Sequence, residues 1–467
     1  VGWYSYGKFY MYGGEITGNT ATTAGGGVYT RNDRVYVKGA VKITGNFTTD
    51  GKANNVCLGS VSGYPSDHFV LDGALKEGSK LGVTLGSGHD GLITKGWKAK
   101  MPDVTADQLT DYFISDASGM KFDLNSAGEV TLTAIPHKHL LCGTACSHGG
   151  EQHTKILTWT AVSSLSEISK AGHYYLTQDI ETTDIWVPAN GVVLCLNGHS
   201  IIHTNHGYTI MVRKDYTFTL CDCKGGSAEY GRITHAEQAD GTKYSGRGVY
   251  AIGTFNMYGG SISGNVSSDS SGVLLDNGSN SGGKGTAFNM YGGEITGNTA
   301  TNGAGGGVSV FANSPFRMYG GSISGNTAKY GGGGVYVGSG SVFTVSGSVT
   351  ITGNTGNDSS ACNVQLAKSN TTGTTFAIGE GGLAESARIG VTADAAPAIG
   401  EHIAVATGAD NGYYEGNITS DAGGQYGILR EGDEINLYNG LPHKHLLCGT
   451  ACSHGGETHT DVLTWTA

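Results

Sequence analysis

The chain has 467 residues, of which 80 are glycine and only 14% are charged, with a formal net charge of −11 carried by dispersed Asp and Glu. That balance excludes the clustered basic face of a nucleic-acid binder, and no apolar run approaches the ~20 residues that a membrane span requires. Glycine at this level also suits a disordered linker, but 24 Tyr, 12 Phe and regularly spaced Val and Ile argue for an ordered chain whose glycines serve turns.

Taken in chain order, residues 1–136 read as the back half of a repeating unit, with coils over about 1–65 and closing strands over about 66–136. The opening "VGWYSYGKFYMYGG" lacks the basic and apolar regions of a signal peptide, which places any export signal or wall anchor outside this stretch. A box rich in His and Cys follows at 137–161, "PHKHLLCGTACSHGGEQHTKILTWTA" from Pro136 to Ala161. It recurs from Pro442 to Ala467, an offset of 306 residues (443 − 137). Between the boxes, residues 162–365 are expected to form the coils of a complete unit and 366–442 its closing strands, and the box at 443–467 opens the next unit. The chain therefore reads as a window on a tandem array.

A shorter period lies within each unit. The phrases "FNMYGGSISGN", "FNMYGGEITGN", "FRMYGGSISGN" and "FTVSGSVTITGN" place Met257, Met290, Met318 and Val345 at separations of 33, 28 and 27 residues, with "GGGVSV" and "GGGVYV" between them. Several short strands in roughly 27 residues, without helical periodicity, predict an all-β fold built of parallel β-helix coils. Alternation along a strand sends Phe316 and Met318 to the core and Arg317 and Tyr319 outward. The same count places Val308, Val310, Val335, Val337, Ile295 and Ile323 inside, so that each coil stacks like on like. The "GG" and "GN" pairs supply turn residues that tolerate positive φ. Asn265, Asn298, Asn326 and Asn354 recur in register and are expected to bond the backbone of adjacent coils. The three-glycine runs read as tight corners. None fits a phosphate-binding loop, because no helix follows.

"IWVPANGVVLCLNGHSI" and "YTFTLCDCKGG" are expected to form the first coils. Cys195 and Cys221 lie 26 residues apart, close to one coil, and are expected to be paired or simply buried on adjacent turns, ahead of a reading of "LCDC" as a metal motif.

The main chemical signal is the box itself: His137, His139, Cys142, Cys146, His148 and His153, repeated as His443, His445, Cys448, Cys452, His454 and His459. Imidazole and thiolate are the preferred ligands of zinc, and two Cys with two of the four His could close a tetrahedral site in each box. Two other readings stand beside it: a Cys142–Cys146 disulfide, matched by Cys448–Cys452, and histidines merely solvated or packed beside Trp159. Either crosslink would stiffen the joint between successive units.

The combination of "VVLCLNGHSI", "FTLCDCKGG" and the repeated "GGGVYV" and "MYGGSISGNTA" phrases resembles the large β-helix surface proteins of gut Firmicutes. It is similar in kind to the repeats of polymorphic outer-membrane adhesins. The resemblance covers most of the chain. It implies a right-handed, pectate-lyase-like parallel β-helix on the bacterial cell surface, acting as a structural or adhesive stalk or fibre. Its partners would be neighbouring units of the same chain, host or microbial glycans or proteins, or further copies in a fibre. No catalytic residue carries over from it.

The competing expectation is a β-helix that binds or cleaves carbohydrate. A glycosidase needs two carboxylates flanking the bond, yet Glu15 and Glu294 occupy one repeat position in different units while neighbouring coils carry Ser261 and Ser322 there, so catalysis is not expected. An outward row of Tyr12, Tyr258, Tyr291 and Tyr319 is the candidate for stacking on a sugar, against the alternative that stacked rings simply stabilise the solenoid surface.

Overall fold

The computed structural model describes all residues except 1–7, 31–34, 60–65, 118, 142–145, 149–150, 225–229, 277–285, 312, 368–374, 394–396, 440–442, 447–451, 455–456, 460–461 and 466–467. The chain divides into two compact units, Val1–Pro136 and His137–Ala467. Both are dominated by parallel strands, and the larger contains a 26-stranded, parallel-dominated sheet of solenoid-like character.

In the second unit the strands form parallel stacks in which each strand pairs with its counterpart one turn away. One stack runs Val192–Cys195, Thr217–Cys221, Thr254–Met257, Ala287–Met290, Pro315–Ser324 and Val342–Thr352. A second runs Gly246–Ala251, Val273–Leu275, Val308–Val310, Val335–Val337 and Val364–Leu366. The register is like on like, with Phe288 opposite Phe316 and Met290 opposite Met318. Phe255, Phe288, Phe316 and Phe343 are fully buried or nearly so, their rings stacked at centroid spacings of 4.8 to 4.9 Å. The expected inward residues Val308, Val310, Val335, Val337, Ile295, Ile323, Phe316 and Met318 are all at 0% exposure. The corner after "MY" is made by glycines such as Gly321 at φ 88°, a conformation that side chains rarely adopt.

Parallel pairing continues past the expected end of the coils. Arg388–Ala393 pairs with Val364–Leu366 and Ile418–Ser420 pairs with Arg388–Ala393. His402–Thr407, Tyr426–Glu431 and Glu434–Asn439 then meet antiparallel. The loss of the coil spacing after residue 365 therefore marks a change of turn chemistry before it marks a change of strand direction. The first unit repeats the scheme, with Phe9–Ile16, Val35–Ile43 and Phe69–Leu75 in parallel and the antiparallel pair Met120–Leu124 and Val130–Ala134 beyond them. Two short helices, Trp97–Lys100 and Leu109–Tyr112, bury Trp97 and Leu109 against its core.

The glycine runs and the "GN" turns prove to be one device. Asn265, Asn298, Asn326 and Asn354 are at 0% exposure and form an axial ladder. In each rung the backbone N and Nδ2 of one Asn donate to Oδ1 of the next, at 3.0 and 2.9 Å from Asn298 to Asn326. The ladder starts at His235 Nδ1, 2.8 Å from Asn265 Oδ1, and passes through Asn363 to the carboxylate of Asp421, which only accepts. The first unit ends the same way, with Asn55 donating to Asp116. Room for each amide is made by the glycine that precedes a core valine. A methyl group on Gly307 would stand 2.6 Å from the Gly334 carbonyl oxygen and 3.0 Å from Asn326 Nδ2. Gly307→Ala is expected to cost roughly 1–3 kcal/mol by overpacking. Gly424→Ala, where a methyl meets nothing within 4 Å, should leave the urea midpoint almost unchanged.

Candidate functional site

The first box opens on a hairpin. His137–Leu140 pairs antiparallel with Ile156–Val162, His137 opposite Trp159 and His139 opposite Leu157. Residues two apart on a strand share a face, so both imidazoles point the same way. The second strand then joins the stack through Thr160–Val162, parallel to Tyr174–Leu176. Two turns of that stack carry Cys195 and Cys221, directly opposite one another, and Cys223 lies just beyond. The Asp222 carboxylate fixes this turn by accepting from the backbone N of Gly198, Lys224 and Gly231.

These elements bring His137, His139, Cys195 and Cys223 together, with one potential ligand atom from each lying within 4.8 Å of all the others. His137 Nε2 stands 3.5 Å from Cys223 Sγ. Each imidazole is clamped by an aromatic face: His137 stacks on Tyr175 at 4.1 Å and His139 on Trp159 at 4.2 Å. His139 Nδ1 donates to the Leu140 carbonyl at 2.7 Å, which fixes the tautomer and leaves a lone pair on Nε2. That Nε2 atom is buried and has no hydrogen-bond partner among the described residues.

Burial holds both imidazoles neutral, with His137 pushed down to about 4 by desolvation and then by the charges of His139 and Lys224, and His139 lowered chiefly by desolvation. The thiols are shifted upward, Cys195 mainly through its hydrogen bond with Cys221 and Cys223 mainly through its bond with Cys195. The arrangement is a nitrogen and sulfur donor set able to hold a metal ion.

The box is thus only partly the site that its sequence suggests. His137 and His139 belong to the cluster, but the sulfurs beside them come from the coils. Cys142 and Cys448, and with them the Cys142–Cys146 and Cys448–Cys452 pairings, lie outside the described residues. Cys146 and His148 lie on Cys146–His148, antiparallel to Glu151–His153, with Cys146 opposite His153. The second box repeats both pairings, with His443 opposite Trp465, His445 opposite Leu463 and Cys452 opposite His459, and His454 opposite Glu457. Packing beside Trp159 and membership of a ligand set are compatible, because the ring takes the face of His139 and leaves the edge that carries its nitrogens uncovered. Cys195 and Cys221 are buried on adjacent turns as reduced thiols, so the expected burial holds and no disulfide joins them. The lesser reading of Cys223 as a metal residue gains weight. Sequence spacing missed the combination because Cys223 is 86 residues from His137 (223 − 137).

Tyr258, Tyr291 and Tyr319 form an outward stack at 4.4 and 5.0 Å, each ring covering its neighbour's face. Tyr12 lies in the first unit, where its hydroxyl donates to Asp72 at 2.7 Å and Lys38 sits 3.8 Å over its ring. Glu294 is flanked in register by Ser261 and Ser322, and Glu15 by Lys42. A groove of about 750 Å³ in the first unit is lined by residues including Asp50, Lys52 and Asp116. Its two carboxylates are committed internally: Asp50, held down to about 2 by Thr48 and Lys52, and Asp116, bonded to Asn55 and Thr84.

Fold and site together define an all-β protein with a parallel, solenoid-like stack and a nitrogen and sulfur cluster where that stack begins. Comparison with protein-family models, with curated proteins and with solved structures finds no match for this chain.

Proposed function

We propose that the chain is a structural segment of a tandem array of right-handed parallel β-helix units, displayed on a bacterial surface as a stiff stalk that carries or makes adhesive contacts. The observation that carries this reading is the like-on-like stack: Phe on Phe, Asn on Asn and Gly against Asn, with an Asn-to-Asp end in both units. Repetition of this kind gives length and rigidity through neighbour contacts alone, which is what a spacer requires. Each turn adds about 4.8 Å along the axis. The junction box serves the same purpose by fastening the hairpin that begins a unit to the first turns of its stack, and a zinc ion is the cofactor suited to that role.

Antibodies raised against the purified chain test the reading. Intact producing cells should be labelled, and removal of one 306-residue unit from the array should bring a tip-borne epitope closer to the cell. Labelling only after lysis, or an epitope height unaffected by unit number, would overturn the stalk.

A further inference from the structure

We propose that a single zinc ion binds between His137 Nε2, His139 Nε2, Cys195 Sγ and Cys223 Sγ, so that the site is shared between box and coils and is not contained in the box. In a zinc tetrahedron, with Zn–S of ~2.3 Å and Zn–N of ~2.0–2.1 Å, neighbouring donors stand about 3.3 to 3.8 Å apart. The 3.5 Å between His137 Nε2 and Cys223 Sγ already equals such an edge, and the 4.8 Å bound on the whole set needs a contraction of about 1 Å. His139 supplies the second, independent sign. Its outer nitrogen is tied to a backbone carbonyl, as the outer nitrogens of metal-bound histidines usually are, while its inner nitrogen is buried with no partner among the described residues.

The chemistry balances without a redox partner. Zn²⁺ replaces one proton on each of the two thiols, two protons go to solvent, and two thiolates with two neutral imidazoles leave a site of zero net charge. A neutral site suits these surroundings, since Cys195 is fully buried and Trp159 and Tyr175 cover the imidazole faces. The ion would link a hairpin held by few strand pairs to two turns of the stack, and closing that long loop is where a crosslink gains most.

The second box turns the choice between the two sites into a count. His443 and His445 have the hairpin register of His137 and His139, but among the described residues their hairpin pairs only with itself and is joined by no coil strand. A site contained in the box would load two ions on this chain, one per box. The shared site loads one.

Metal analysis and cobalt(II) titration of the reduced, intact chain decide between them. The expected result is a single tight equivalent, a tetrahedral cobalt spectrum with thiolate charge transfer, and an X-ray absorption shell of two sulfurs and two nitrogens. Cys223→Ser and His137→Gln should each weaken binding by at least roughly 100-fold, more than the 10–100-fold seen for outer-shell changes. The combined Cys142→Ser, Cys146→Ser, Cys448→Ser and Cys452→Ser variant should bind as the parent does. Two equivalents, loss of binding in that combined variant, or a metal-free chain carrying a Cys195–Cys223 disulfide would each overturn the proposal. The stoichiometry of the parent protein separates the shared site from the contained one even if a variant fails to fold. The inference rests on the junction geometry and not on surface display, so cell labelling and metal stoichiometry can fail independently.

Discussion

Asn326→Ala is expected to lower the stability of the second unit by roughly 3–5 kcal/mol, far more than the loss of a small polar side chain would cost at a surface. Asn326 Oδ1 accepts from both the backbone N and Nδ2 of Asn298. Its Nδ2 reaches the carbonyls of Ile295 and Ser324 and the Oδ1 of Asn354. Truncation strands several of these groups where no water reaches, and each buried group left unpaired costs ~1–3 kcal/mol. It also leaves a void beside Gly307, whose missing side chain was the space the amide filled. Asn326→Asp keeps the shape and sharpens the test, because an acidic oxygen would then face three acceptors. It should be at least as damaging at neutral pH. Urea unfolding followed by circular dichroism measures both, and a loss below about 1 kcal/mol for Asn326→Ala would mean that the ladder does not hold the turns together.

Acid should weaken the second unit well above the range where carboxylates titrate. His203 and His235 face each other in register on adjacent turns, with centroids 5.1 Å apart, and both are essentially unexposed. Burial lowers both, His235 from 6.5 to about 4, with a further push from His203. A histidine whose folded value is depressed is neutral in the native state and takes up its proton on unfolding. The unfolded state therefore binds more protons below pH ~6.5, and stability is full above that value and falls as the pH drops toward the folded value. For His235 the window from 6.5 to about 4 corresponds to about 3 kcal/mol, at ~1.4 kcal/mol per unit. Unfolding free energies at pH 7, 5.5 and 4.5 should fall along this curve. His235→Gln, which keeps an N–H donor near Asn265, should flatten it, whatever that variant costs at pH 7. A chelated sample is the proper reference, because His137 and His139 are shifted the same way. A slope unchanged by His235→Gln would place the acid sensitivity elsewhere.

Much of the fold is legible in the sequence because a stacked turn repeats its own constraints. Phe316, Met318, Val308 and Val335 could be assigned inward from strand alternation and a ~27-residue period, and all are fully buried. The four ladder asparagines could be placed in register from the "GN" phrase. Their bonding to the backbone of the adjacent coil is expected and is found, as from Asn326 Nδ2 to the Ile295 carbonyl, but the period does not show that each amide also passes a hydrogen bond in one direction toward Asp421, or that the three-glycine runs exist to admit those amides. The strands after residue 365 were less legible, because their turns change while parallel pairing persists as far as Ile418–Ser420.

The candidate site divides along the same line. Its histidines announce themselves by a repeated box, and alternation alone puts His137 and His139 on one face. The cysteines inside the box look like their partners because local spacing is all that a motif reveals. Cys195 and Cys223 join the cluster only because the hairpin folds onto the first turns of the stack, across 86 residues of chain. Period, faces and residue types are written in the chain itself, since they follow from strand geometry and burial. Which ligands meet is a matter of tertiary structure, because the distance between two turns in space bears no relation to their separation along the chain.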